Sequence, residues 1–462
     1  MSAVINAFVV ILGVMLAGGH AVAAGDESAQ VWPERLHGHG GPVRSVALDA
    51  DDKHGLTTSF DYSVILWRFE AGKGQVVHRM IGHEAAANDA AFAGAQRAVS
   101  VGDDGAVILW NLSDGAVLDR VDTGDDKMLA VSVSADGQFA VTASWDRTAR
   151  IFALEGDRLS ERAVLDGHRG NVNAVAFSRD GSRVFTASYD GTIRVFERES
   201  GEMLREVHSH GWGVNVMRLL PGETHLAFGA TDGAVAVIDI AQGAVFKQLA
   251  SHERPVLSLA LSHDGSRLAS GGGDGRIRVY DTGEWELLEE FENPYGPVWG
   301  LALSSGGAIA LYAGLDDHVN IWQVAPREPF EPVESQFPRR FQVSAEDDLG
   351  RRQFARKCSV CHTLTPDGGN RAGPTLYGVF GRRVGTLPGY PYSEALKRLD
   401  FLWDEQTISD LFDHGPDVVT PGSKMPIQRL RSDEERDALV AYLKRATAPE
   451  GSGADSQGEQ KQ

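Results

Sequence analysis

Two domains of different class are predicted by this sequence: a ring of seven small antiparallel β-sheets over residues 30–325, and a shorter domain over 344–448 that opens on a helix. Three observations predict them. Between Gln30 and Ala325 the chain repeats every 42 to 44 residues, and each unit closes with an apolar strand ending at Trp67, Trp110, Phe152, Phe196, Ile238, Tyr280 or Trp322. The repetition stops at Pro326, where Pro326, Pro329, Pro332 and Pro338 interrupt a charged run. Beyond it stand the only two cysteines of 462 residues, close together in Cys358-Ser359-Val360-Cys361-His362.

Length alone argues for more than one core, because single hydrophobic cores stop growing near ~250–300 residues. The apolar content, 42%, is that of a globular chain. Of the net charge of −20, about −18 falls before residue 324, and residues 344–448 are near neutral. Nucleic acid is therefore not an expected partner, since it requires a basic footprint.

The chain begins with an apolar run from Val9 to Leu16 and reaches small residues at Ala21-Val22-Ala23. Residues 1–24 read as a secretory signal peptide. No Lys or Arg precedes the apolar run, so an uncleaved anchor stands as the alternative, and membrane association is expected only in that case. The apolar core is short for a spanning helix.

Within each repeat an aspartate stands six residues before the closing position: Asp61, Asp104, Asp146, Asp190, Asp232, Asp274 and Asp316. A Gly-His or its remnant precedes most of these by 21 or 22 residues, at Gly38-His39, Gly82-His83, Gly167-His168, Ser209-His210 and Ser251-His252. Segments such as Val172 to Phe177 and Thr192 to Phe196 are short, β-branched and bounded by turn residues, as strands are. One such sheet cannot bury both faces, so neighbours must stack, and seven stacked radially close a ring without a long exposed edge. The Gly-His and aspartate pattern resembles the WD-repeat family, which implies a β-propeller of four-stranded blades. Gln30 to Leu36 precede the first Gly-His, where other units carry an outer strand. They are expected to complete the last blade beside Val319 to Trp322.

A residue recurring at one register in successive blades is more simply a brace than a ligand. The resemblance implies that each aspartate fixes its turn and bonds toward the Gly-His of its own blade. Blades three and seven have Gly124-Asp125 and Asn293-Pro294 where His would stand, so a different arrangement is expected there. His54, His78, His225, His263 and His318 fall outside the register and are expected at the surface or in turns. Phe60, Trp145 and Tyr189 directly precede turn aspartates, and Trp212, Tyr295 and Trp299 stand at strand entries. These aromatics should gather around one mouth of the ring, as a protein interface or as packing between blades.

Pro326 to about Val343 reads as a semi-rigid linker, and Ser344-Ala345-Glu346-Asp347 as a capping box opening a helix that runs into Lys357. That helix delivers the C-x-x-C-H run. Two thiols at this spacing can form thioethers to one haem while the adjacent imidazole reaches its iron. A zinc site would need further ligands at structural spacing, and a redox dithiol would need a surrounding βαβ pattern. Neither is evident. With both cysteines committed to haem, no structural disulfide forms.

From Gly350 to Ala448 the chain resembles class I cytochromes c of the mitochondrial and α-proteobacterial type. The resemblance rests on Gly350 and Phe354, the Cys358–His362 run, Gly373-Pro374-Thr375-Leu376-Tyr377-Gly378-Val379-Phe380-Gly381-Arg382, Gly389-Tyr390-Pro391-Tyr392-Ser393, Trp403, Pro421-Gly422-Ser423-Lys424-Met425-Pro426, and Leu439 with Tyr442. It implies one covalent haem c on Cys358 and Cys361, with His362 and Met425 as axial ligands of the iron. It further implies the Pro374 carbonyl as acceptor from His362, Tyr392, Trp403 and Arg382 around the haem propionates, and the first helix packed across the last. Leu411 and Leu396 stand where the mitochondrial members place a tyrosine and an asparagine near the Met sulfur. His414 is an alternative ligand. Residues 449–462 have no aliphatic side chain larger than Ala and are expected to be disordered.

The fold class expected is thus an all-β seven-bladed WD-type propeller followed by an all-α class I cytochrome c domain. The expected function is that of a periplasmic carrier of single electrons, because c-type haem is attached outside the bacterial cytoplasm and a haem closed by His and Met suits electron transfer. The propeller would hold a redox protein partner. An oxidoreductase whose propeller binds substrate or a second cofactor, and a scaffold with haem as a redox sensor, are the alternatives.

Overall fold

The computed structural model describes residues 31–124, 126–327, 348–359, 361–365, 373–390, 392–421, 423, 425, 429–430 and 432–448. The predicted signal, tail and nearly all of the linker lie outside them. Among the described residues the first domain consists of seven four-stranded antiparallel sheets. Blade one is Val43–Leu48, His54–Ser59, Ser63–Glu70 and Lys73–Ile81. Blade seven is Gly300–Leu303, Ile309–Ala313 and His318–Gln323, with the amino-terminal strand Arg35–His37 as its fourth. Leu36 lies opposite Val319 in that pairing. The ring is therefore closed by the start of the chain, as the missing outer strand of the first repeat predicts.

The core of the ring lies between blades rather than within them. Leu36, Val43 and Trp67 pack with Leu311, Val319 and Ile321 across the closure, and Ile193, Val195 and Phe185 of blade four pack with Phe228, Ala236 and Ile238 of blade five. Each blade thus presents one apolar face to each neighbour. Burial of a Val, Leu or Ile side chain is worth ~1.5–3 kcal/mol, so every interface is held by several such contributions.

The repeated polar residues brace single blades. In blade one, His39 Nδ1 lies 3.2 Å from Asp61, Thr57 Oγ1 lies 2.6 Å from His39 Nε2, and Trp67 Nε1 donates to Thr57 at 2.8 Å. Blade two repeats this with His83, Asp104, Ser100 and Trp110. Blades four and six keep the His168–Asp190–Thr186 and His252–Asp274–Ser270 parts. Blade five reaches Asp232 through His210 Nε2, with Phe228 where other blades hold the hydroxyl residue. In blade three, which lacks the histidine, Arg150 reaches Asp146 at 2.8 Å instead. His318 corrects one expectation: it is not at the surface but buried in blade seven, its ring 5.1 Å from that of His37.

These braces make the propeller sensitive to acid. Burial holds the imidazoles of His168 and His252 below their usual pKa, and their aspartates offset this only in part. As pH falls past the ordinary histidine value near ~6.5, the unfolded chain takes up protons before the folded one, so stability is lost. Burial alone would raise the Asp104 carboxyl, but the hydrogen bond and charge of His83 outweigh it and bring it down to about 2. Asp61 and Asp190 are depressed in the same sense, by His39 and Arg79 in one case and by the Arg169 N–H and Thr192 in the other. Stability that depends on these carboxylates is present above about pH 4 and falls away below it. The melting temperature of the propeller, followed by circular dichroism, is expected to drop from about pH 7 to 5 and again below about pH 4. A constant value between pH 7 and 5 would contradict the histidine assignment.

The second domain is helical: α1 (Leu349–Lys357), α2 (Glu394–Lys397), α3 (Glu405–His414), α4 (Pro416–Val419) and α5 (Asp433–Ala446). The N-cap of α1 is Asp348, which accepts from the Gly350 N–H at 2.7 Å, while the expected capping box, Ser344 to Asp347, lies outside the described residues. Helix α5 carries three acidic residues in its first turn and Lys444 and Arg445 in its last, a charge order that suits the helix dipole. Helices α1 and α5 cross in close contact. A Cβ on Gly350 would lie 2.0 Å from the Ala438 carbonyl oxygen, so glycine is required there. Phe354 meets Tyr442 one turn on, with ring centroids 5.8 Å apart. Among the described residues no helix is long and apolar enough to cross a membrane.

Candidate functional site

Helix α1 ends directly at the cysteine run. Cys358 is its C-cap, its N–H bonded to the Phe354 carbonyl, and the turn that follows is held by Cys361 N and His362 N, both donating to the Cys358 carbonyl. That turn brings Cys358, Cys361 and His362 to the wall of one cleft, which encloses about 1120 Å³ of empty space including its open mouth. The opposite parts of the wall come from elements remote in sequence. Met425 enters from the segment after α4, its N–H bonded to Ser423 Oγ at 2.9 Å. Leu376, Val379, Val384, Leu396, Ile408 and Leu411 supply an apolar lining.

His362 is oriented by its Nδ1, which donates to the Pro374 carbonyl at 2.8 Å. Gly373, next to it, lies so close that a Cβ would fall 2.3 Å from His362 Cε1. A side chain at 373 would displace the imidazole. Arg382 donates to the carbonyls of Thr375 and Tyr377, at 2.8 and 3.1 Å, and so holds the loop that carries Pro374. Burial lowers its pKa, with Tyr392 working in the opposite direction. Trp403 is joined to the same region through backbone bonds, its N–H to Arg382 O and its carbonyl accepting from Gly381 N.

Pro374, Arg382, Tyr392 and Trp403 all line the cleft with the two cysteines, His362 and Met425. Leu396 and Leu411 line it as well, where a polar pair was noted as missing. His414 does not belong to this wall: it ends α3 with a side chain 57% exposed, beside Asp413. The propeller aromatics form no such cluster around the cleft. Trp145, Tyr189 and Trp212 are exposed, Phe60 packs on Trp299 at 5.5 Å, and Tyr295 is half-buried. Two tyrosines of the lining had no role in the sequence reading, Tyr390 and, from blade one of the propeller, Tyr62. Tyr390 sits inside the quoted Gly-Tyr-Pro-Tyr motif, where Tyr392 drew the assignment.

The chemistry of the cysteines separates the readings left open by their spacing. Neither is in a disulfide. Burial, followed by the neighbouring Cys361, pushes the Cys358 thiol up to about 12, the reverse of what a reactive dithiol needs. Among the described residues no three His, Cys, Asp or Glu side chains converge on a metal-sized site.

Comparison with known proteins agrees with this geometry. The WD domain, G-beta repeat family matches residues 32–68, 120–152, 159–197 and 243–281, and the cytochrome c family matches 348–447. Cytochrome c of Sesamum indicum is 44% identical over 99 residues, which is 21% of this chain and 88% of that protein. The chain belongs to the cytochrome c family. Cytochrome c of Nigella damascena is 41% identical over the same length, and that of Gibberella zeae 38% identical over 98 residues, covering 92% of it. The rest of the chain carries WD repeats in a seven-bladed propeller.

The cytochrome c domain supports haem-based electron transfer and implies haem c as its cofactor. The residues present fit that group. The cleft is apolar and large, two thiols stand on one wall, and an imidazole and a thioether, the donor pair suited to a high-potential haem, face the same space.

Proposed function

We propose that the chain is an exported cytochrome c that carries single electrons on one haem, joined by thioethers to Cys358 and Cys361 and ligated by His362 and Met425, while its propeller docks a redox protein partner. The observation that carries the reading is the convergence of His362 and Met425 on the cleft that both cysteines line. When bound, haem supplies a reversible one-electron couple. His362 is fixed in tautomer and orientation by Pro374, a type of support that tunes metal-bound histidines. Met425 would supply the chain's second donor to the iron, which would leave the site no vacancy for a substrate. The apolar wall excludes water, and Arg382 keeps the Pro374 loop in place.

Export is supported by the signal-like residues 1–24, and the periplasm is the proposed compartment. Docking by the propeller is supported by its surface. Trp145, Tyr189 and Trp212 are 44, 61 and 63% exposed, and Tyr189 lies against Gly213, the residue after Trp212. Large exposed aromatics are typical of protein contact sites. The acidity of this domain would steer a basic face toward it, more weakly at high salt.

Replacing Trp145 and Tyr189 together by alanine is expected to reduce capture of the redox partner at least about tenfold, with the haem spectrum and the propeller melt unchanged, as loss of aromatic anchors does. Undiminished capture by a folded double variant would place docking elsewhere.

A further inference from the structure

Among the described residues, the cleft has one lining residue from outside the cytochrome domain. Tyr62, in the turn between the second and third strands of blade one, stands in the wall with Cys361, His362 and Tyr390. We propose that blade one covers the mouth of the haem cleft with Tyr62, so that the propeller docks on the cytochrome domain of its own chain beside Cys361. The proposal rests on haem filling the cleft, as inferred above.

A second, independent feature of Tyr62 points the same way. The residue after the turn aspartate adopts a left-handed backbone, with φ of 69°, 85°, 89° and 82° at Gly105, Gly191, Gly233 and Gly275. Glycine takes this conformation freely, whereas any residue with a Cβ pays for it. Blade one nevertheless places tyrosine there, at φ 71°. Blade three likewise carries a side chain there, Arg147 at φ 75°, so the turn tolerates one, and what is particular to Tyr62 is that its ring lines the cleft. The ring is half-buried and lines the cleft with Cys361 and Tyr390, and a phenol is neutral at physiological pH. A neutral, mostly apolar ring suits the edge of a haem better than a charge would.

The aromatic face of the propeller then divides by function. Phe60, adjacent to Tyr62, is packed on Trp299, with Arg44 over that ring at 5.9 Å. Of this group Tyr62 lines the chain's own cleft. Trp145, Tyr189 and Trp212 belong to blades three to five and stay exposed for a foreign protein. Covering the haem edge excludes water there, and a drier site disfavours the more positive, ferric state. Tyr62 is a positioning and shielding residue in this account, acting on the potential and on access.

The test uses the full chain with haem, labelled with fluorotyrosine. Of its nine tyrosines, Tyr62 is assigned by the fluorine line lost in Tyr62→Phe. That line is expected to shift and broaden in the ferric, paramagnetic form and to sharpen on reduction. A Tyr62 line that is identical in both oxidation states overturns the docking. Tyr62→Gly provides the second arm, because glycine suits the backbone and cannot cost the propeller its fold. It should lower the reduction potential and speed reduction by a small neutral reductant several-fold, while Tyr62→Phe stays near the native protein. An unchanged potential and rate in Tyr62→Gly would also overturn the proposal. A purified chain without any haem spectrum would sink the haem assignment itself, a failure distinct from a haem-loaded chain with an insensitive Tyr62.

Discussion

Serine at both Cys358 and Cys361 is expected to leave the chain without retained haem and its carboxy-terminal domain unfolded, while the propeller melts as before. The expectation follows from the size of the cleft against the stability available. Among the described residues the cytochrome domain has five helices, two of them a single turn, and its apolar core of Phe354, Ile408, Phe412, Leu439 and Leu443 borders the open apolar cleft. Truncating one buried leucine costs ~2–5 kcal/mol through the cavity it leaves, and a domain of this size has ~5–15 kcal/mol in all. An apolar cleft left empty and open to water takes up a large part of that margin. A group that binds only the folded state supplies the difference, and the proposed thioether bonds to Cys358 and Cys361 would keep it from leaving. The measurement is haem remaining with the polypeptide after denaturing electrophoresis, together with the helical far-ultraviolet signal. Native protein should retain haem and the double variant should show none, with loss of helix. Haem retained by the variant would mean that neither cysteine is an attachment point.

The propeller does not depend on that site. Its interfaces are filled by its own side chains, and its braces run within each blade, as in His83–Asp104–Ser100–Trp110. Loss of the cytochrome domain therefore removes no inter-blade contact, and the acid sensitivity set by His168 and His252 should persist in the variant.

What could be read from the sequence follows from where the determining interactions lie. The blades were legible because each brace is local: an aspartate and a histidine 21 or 22 residues apart mark one blade, and the same register recurs along the ring. The closure by Arg35–His37 was legible because one outer strand was missing at the start and one partner was missing at the end. The haem cleft was legible through a contiguous run and through Met425, a residue whose setting marks it. One detail that failed has a physical cause. His318 lies outside the repeat register, which suggested a turn. It is buried because it pairs against His37 across the closure, a contact between opposite ends of the array.

Tyr62 was not legible at all as a cleft residue. Its only local sign was a bulky side chain where four other blades have glycine, and that sign identifies strain without saying what relieves it. A contact between two domains leaves no periodic trace in either. The same holds for Arg382, whose bonds to Thr375 and Tyr377 show a support for the Pro374 loop that a motif match does not reveal.

Met425 bears the central claim, that the chain relays electrons rather than acting on a substrate. A thioether is a soft, neutral ligand that favours the reduced iron, and Met425 has its side chain in the cleft and its backbone held by Ser423. Alanine at 425 removes the ligand without filling the place it occupied. The variant is expected to keep covalent haem, lose the weak charge-transfer band of Met-ligated ferric haem, and fall in reduction potential. The most direct measurement is the visible spectrum of the ferrous full chain before and after carbon monoxide, for the native protein and for Met425→Ala. The native spectrum should stay unchanged while that of the variant shifts on binding the gas. Native protein that takes up carbon monoxide as readily as the variant would contradict the closed site and reopen a catalytic role for the haem.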